Sequence, residues 1–139
     1  IPSSLAAELA KTPAAPTIVL LQAGDINLGA YDDFEALVPI AKEYGAWAHV
    51  DGASGLWVTA RERRNHFLKG SERCDSWATD GHKWLNVPFD CGFAFVAEPQ
   101  AHRASMSVRA SYLTHASEAR DEMDWPSRRP RSPLTHEPT

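Results

Sequence analysis

Two short apolar stretches of the chain end in residues that can do acid–base and carbonyl chemistry. Residues 47–51 run into Asp51, Gly52 and Ala53, and residues 76–80 run into Gly81, His82 and Lys83. If both stretches are parallel strands of one sheet, the carboxylate of Asp51 and the amine of Lys83 reach the same rim, where open α/β sheets collect their ligands. A lysine amine condenses with an aldehyde to an imine, and a carboxylate holds a ring nitrogen protonated. Pyridoxal 5'-phosphate (PLP) needs both, because a pyridinium is a stronger electron sink than a neutral pyridine when a bond to the substrate's α-carbon breaks. Gly52 and Ala53 are small enough to let a flat ligand approach the backbone. Taken singly, each residue has a plainer reading: lysine is ordinarily solvated, and aspartate commonly ends strands. His49 and His82 read first as packing or hydrogen-bonding residues. The pair of Asp51 and Lys83 at one rim carries the expectation.

The elements that would position these groups follow from pattern. Residues 17–21 form a short β-branched run between Pro16 and Gly24, predicting a buried strand of a parallel sheet covered on both faces. Phe34, Leu37, Val38, Ala41 and Tyr44 recur at helical spacing, predicting an amphipathic helix over 33–44 with Asp32 and Glu35 as a capping pair and Gly45 as its stop. Pro39 inside it costs about 3 kcal/mol if the helix is continuous. Strands are predicted at 47–51, 76–80 and 92–97, a solvated helix at 61–69 closed by Gly70, and a short helix opening at Pro99. The segment 17–51 is then strand, helix, strand, which makes the fold class α/β with a mostly parallel sheet. From Pro126 onward the sequence turns to Pro, Ser and Arg with few apolar residues, and 126–139 is expected to be a disordered tail beyond a domain spanning 1–125.

Composition narrows the classes. With 139 residues, 43% of them hydrophobic, the chain suffices for one domain at most. A net charge of −4 with both signs dispersed gives no footprint for nucleic acid or an anionic membrane surface. Cys74 and Cys91 lie far apart, with no histidine at metal-ligand spacing, so neither a disulfide framework nor a metal site is expected, and a reducing cytoplasm is. The longest aliphatic run, residues 18–21, is far short of a membrane span, and no signal-peptide plan opens the chain.

The stretches QAGDINLGAYD at 22–32, WAHVDGA at 47–53 and DSWATDGHKWL at 75–85 resemble the group II PLP-dependent decarboxylases, which include the aromatic-amino-acid and glutamate enzymes; PFDCG at 88–92 and RASYL at 109–113 continue the match. The resemblance covers roughly residues 5–125. It implies a homodimeric enzyme of fold type I, a three-layer αβα sandwich of which this chain is part, removing the α-carboxylate of an amino acid as carbon dioxide. It further implies Lys83 as the Schiff-base lysine, Asp51 as the partner of the pyridine nitrogen, Ala53 against one ring face, and His82 close to the cofactor. Gln22 would border the Asp51 side of the ring, and Asn27 and Thr79 would orient the phosphate or these side chains.

The family's phosphate loop and ring-stacking histidine would lie upstream of residue 1, and its mobile catalytic loop and small C-terminal domain downstream. The chain is therefore expected to be an internal piece of the large domain, inactive by itself. Two alternatives stay open at this point: another reaction on the same cofactor, a carbon–carbon lyase or an aminotransferase, and a non-catalytic truncated fragment. The substrate amino acid is not readable from these residues.

Overall fold

The computed structural model describes residues 2–106. The anticipated tail at 126–139 and the RASYL stretch at 109–113 lie outside the described residues. Helix α1 (Pro2–Leu9), which the pattern did not announce, precedes strand β1 (Ile18–Gln22), helix α2 (Phe34–Glu43) and strand β2 (Trp47–Asp51). Three short 3-10 turns follow, at Leu56–Ala60, Asn65–Leu68 and Ser71–Arg73. Strand β3 (Ser76–Asp80), the single-turn helix α3 (Gly81–Trp84), strand β4 (Gly92–Val96) and helix α4 (Pro99–Met106) complete the order.

The four strands form one sheet in the order β1-β2-β3-β4, with β1, β2 and β3 parallel and β4 antiparallel to β3. The fold is α/β with a mostly parallel sheet. Register places Gln22 beside Asp51, and Asp51 beside Ala78. Successive side chains alternate between faces, so Val19, Leu21, Ala48, Val50 and Thr79 share one face while Ile18, Leu20, Gln22, His49 and Asp51 share the other. The first set is buried with Phe34, Val38 and Ala41 of α2, and Leu9 of α1 joins this core. On the second face Ile18 is 65% and Leu20 71% exposed. The expectation of a sheet covered on both faces is thus met on one face among the described residues.

Three boundaries differ from the reading of pattern. The helix cap is Asp33, whose carboxylate accepts from Ala36 N–H; Asp32 instead reaches back to accept from Gln22 N–H at 2.6 Å. Pro39 sits inside α2 without ending it. It is exposed, outside the buried stripe of Phe34, Val38 and Ala41, and its ring leaves the Glu35 carbonyl without the usual intrahelical donor. The predicted helix at 61–69 is instead a pair of turns around the 3-10 element Asn65–Leu68. In this stretch Leu68 is buried while Phe67 stacks on Tyr31 at 5.2 Å, two anchors on adjacent residues that a single helical stripe does not serve. Gly70 does stop the segment, at φ 92°.

Candidate active site

The carboxyl ends of β2 and β3 lie side by side, and the chain is tied down there. Gly52 N–H donates to Ala78 O at 2.8 Å, and Asp80 N–H to Ala53 O at 3.3 Å. The buried Thr79 hydroxyl donates to Gly52 O at 2.8 Å. A Cβ on Gly52 would meet Leu56 Cβ at 2.6 Å, so the turn tolerates glycine and little else. These bonds fix the turn that leaves Asp51.

Asp51 is exposed at the rim. Its Oδ1 accepts from Ala53 N–H at 3.1 Å, which orients the carboxylate and leaves Oδ2 without a hydrogen bond among the described residues. Gln22, its partner in register, donates from Nε2 to the Asp51 carbonyl at 3.2 Å, so the two side chains border the same end of the sheet. Beneath them, Asp32 accepts the Gln22 N–H and Ala23 N–H bonds Asp51 O at 2.8 Å.

Lys83 lies in the single turn α3 that follows β3. Its ammonium is 2.9 Å from Asp80 Oδ2, with the two side chains 37% and 29% exposed. His82 Nε2 stands 3.8 Å from the same oxygen. On its other side the ring lies against Cys91, with Nδ1 3.0 Å from Cys91 O and 3.3 Å from Cys91 N, so that Nε2 faces Asp80. The His82 ring also meets the edge of Phe89 at 4.5 Å.

Six of the seven residues singled out in the sequence therefore gather at one sheet end: Gln22, Asp51 and Ala53 in one bonded group, Thr79 under the Gly52 turn, His82 and Lys83 around Asp80. Asn27 is apart from them. It sits in the exposed loop after β1, its N–H held by Asp25 Oδ1 at 3.0 Å, with no hydrogen bond to the others. The pattern missed Asp80, although its signal was present as an acid three residues before the lysine, the spacing at which charges meet on one helical turn.

Beside this rim an open groove of about 470 Å³ is lined by Ser54, Tyr31, Arg64, Phe67 and by Trp84, the residue after Lys83. The Tyr31 hydroxyl donates to Gly55 O at 3.2 Å, and burial raises its pKa against the opposing charge of Arg64. A larger groove of about 590 Å³, at Pro16, Ile18, Lys42, Trp47 and Asp75, opens at the amino end of the sheet and contains none of the candidate residues. The chemistry and not the size of the groove locates the site. Among the described residues no cluster of ligands suits a metal ion, and no helix is long and apolar enough to cross a membrane.

Comparison with known proteins identifies the family to which the chain belongs. The model of the pyridoxal-dependent decarboxylase conserved domain matches residues 2–132. A 4-hydroxyphenylacetaldehyde synthase of Rhodiola rosea is 35% identical over 102 residues, 73% of this chain and 21% of that protein. The histidine decarboxylase of Rattus norvegicus is 36% identical over 112 residues, 79% of this chain and 17% of that one. The crystal structure of Oryza sativa TDC with PLP and tryptamine superposes with a TM-score of 0.75 at 28% identity, covering 84% of this chain and 24% of that one. The chain spans about a fifth of the length of the curated relatives it matches. Nearly its whole length lies within the family model, and the chain belongs to the pyridoxal-dependent decarboxylase family.

Proposed function

We propose that the protein carrying this chain decarboxylates an amino acid with PLP, using Lys83 as the amine that binds the cofactor's aldehyde and Asp51 as the carboxylate that holds its ring nitrogen. The observation that carries the reading is the delivery of an amine and an orientable carboxylate to one carboxyl-end rim by two parallel, hydrogen-bonded strands. The donor set fits the cofactor: a primary amine, a carboxylate with one oxygen free, and a turn of small residues between them. When bound, PLP supplies the electron sink. The chain's own part is positional. Oδ1 of Asp51 stays with Ala53 N–H while Oδ2 is free for a protonated nitrogen. Gln22 borders the same end, Ala53 offers a small apolar surface to a ring face, and His82 stands next to the amine as a proton carrier. The Thr79 hydroxyl has its proton committed to Gly52 O, which supports a role in setting the Asp51 turn rather than in donating to a phosphate. Asn27, exposed in the loop beyond β1, is the remaining candidate for a phosphate contact.

The substrate is an amino acid, in keeping with the histidine decarboxylase among the relatives, and the working form is a homodimer. Two unbridged cysteines support a reducing compartment, the cytoplasm. The test is borohydride trapping of PLP on the intact protein with peptide mapping. A single label on Lys83, lost in Lys83→Ala, is expected, together with carbon dioxide and an amine as products. Label spread evenly over surface lysines and unchanged in the variant would remove Lys83 from the role, and products formed without release of carbon dioxide would replace decarboxylation by another reaction.

A further inference from the structure

Asp80 belongs to none of the roles above, yet its surroundings are those of an aiming device. Strand parity sets its face. Asp51 pairs with Ala78, and Asp80 is two residues further along β3, so its side chain projects from the face that carries Gln22 and Asp51. Its backbone is gripped from both sides: its N–H donates to Ala53 O at 3.3 Å, and its carbonyl accepts from Trp57 Nε1 at 3.0 Å. An aspartate at the N-cap of a helix ordinarily turns its carboxylate onto the first free N–H groups. Asp80 holds the N-cap position of α3 and makes no such bond. Its Oδ2 instead contacts Lys83 Nζ at 2.9 Å.

Lys83 has no comparable restraint of its own. It lies in a four-residue turn beyond the end of the strand, on a long flexible stem, and its side chain is 37% exposed. Without a partner such an amine samples many rotamers, only some of them over the Asp51 face. We propose that Asp80 is the positioning residue of the site: anchored on the Asp51 face by its backbone, it holds the Lys83 ammonium on that face, and its carboxylate is placed to take the proton that the amine must lose before it attacks a carbonyl. The inference rests on the reading of Lys83 given above.

The experiment is site-resolved labelling of the intact protein with pyridoxal, which lacks the phosphate, followed by borohydride and mass spectrometry. The quantity read is the label on Lys83 relative to that on Lys11, Lys42 and Lys69. In Asp80→Asn and Asp80→Ala this ratio should fall about threefold, the range over which a partly exposed ion pair biases a side chain. Asp80→Glu, which restores a carboxylate at the same i, i+3 spacing, should recover at least half of the wild-type ratio; a merely structural role would not be rescued by charge. An unchanged ratio in Asp80→Asn or a failure of Asp80→Glu to restore it would each overturn the inference. No preference for Lys83 in the wild-type protein would overturn the assignment of Lys83 itself. A preference that survives Asp80→Asn overturns the positioning role alone.

Discussion

Thr79 offers a test of how the Asp51 turn is held, because its two side-chain groups can be removed one at a time. The residue is 2% exposed, and its hydroxyl donates to Gly52 O at 2.8 Å. Thr79→Val keeps the volume and deletes the donor. Gly52 O does not become an orphan, since Leu56 N–H also donates to it at 3.1 Å. The loss should therefore sit at the low end of the range for a buried hydrogen bond, about 1 kcal/mol. Thr79→Ser keeps the donor and deletes a buried methyl, which costs about 1 kcal/mol as well. Stability alone will not separate the two variants, and cofactor affinity will. Only Val removes the Thr79 tie to the Gly52 carbonyl, one of the bonds that hold the turn carrying Asp51 and Ala53. If all of that 1 kcal/mol is felt at the site, PLP affinity falls about fivefold in Thr79→Val and stays within error in Thr79→Ser. Thermal melting and fluorescence titration with PLP on the intact protein measure both quantities. Equal PLP affinity in Val and wild type, with melting lowered as expected, would refute the argument that this hydroxyl sets the Asp51 turn.

Asp51→Asn retains an oxygen for Ala53 N–H, so melting should hardly change, while turnover of the intact protein drops by about two decades or more because the amide cannot hold a ring nitrogen protonated. Gly55→Ala would put a Cβ 2.4 Å from Ala23 O and 2.6 Å from the Tyr31 hydroxyl, and overpacking against backbone should destabilise by about 1–3 kcal/mol in denaturant melts. Burial pushes the Cys74 thiol up to about 11 from an ordinary 9, with Asp75 adding to the shift. A thiol held neutral in the folded state contributes stability that is fully present below pH 9 and is lost as pH rises toward 11, on the order of 2 kcal/mol, so the alkaline melting curve should flatten in Cys74→Ala.

The strands were legible because they are short, β-branched or aromatic, and bounded by turn residues; β2 and β3 fall at the predicted residues, and β1 is displaced by one. Their ends carried the site with them, since a residue at the end of a parallel strand has a fixed rim to occupy. What was not legible depended on partners distant in sequence. Asp32 could not be taken off the helix cap without knowing that Gln22 N–H would need its carboxylate. The turns near 61–69 could not be seen without knowing that Phe67 would be claimed by Tyr31, 36 residues earlier, and so leave the stripe a helix requires.

Thr79 and Asp80 show the same limit at the site. They are adjacent on one strand, so they point to opposite faces, and each does its work through a group that pattern cannot supply. Thr79 faces the core and acts on the Asp51 turn through the Gly52 carbonyl. Asp80 faces the rim and acts on Lys83 through a side-chain ion pair. Residue type and spacing located the two groups suited to covalent and acid–base chemistry, while the residues that hold those groups in place are set by strand parity and tertiary hydrogen bonds. A search for supporting residues in relatives of this chain should therefore begin one pleat from each reactive residue, on both faces of the strand that delivers it.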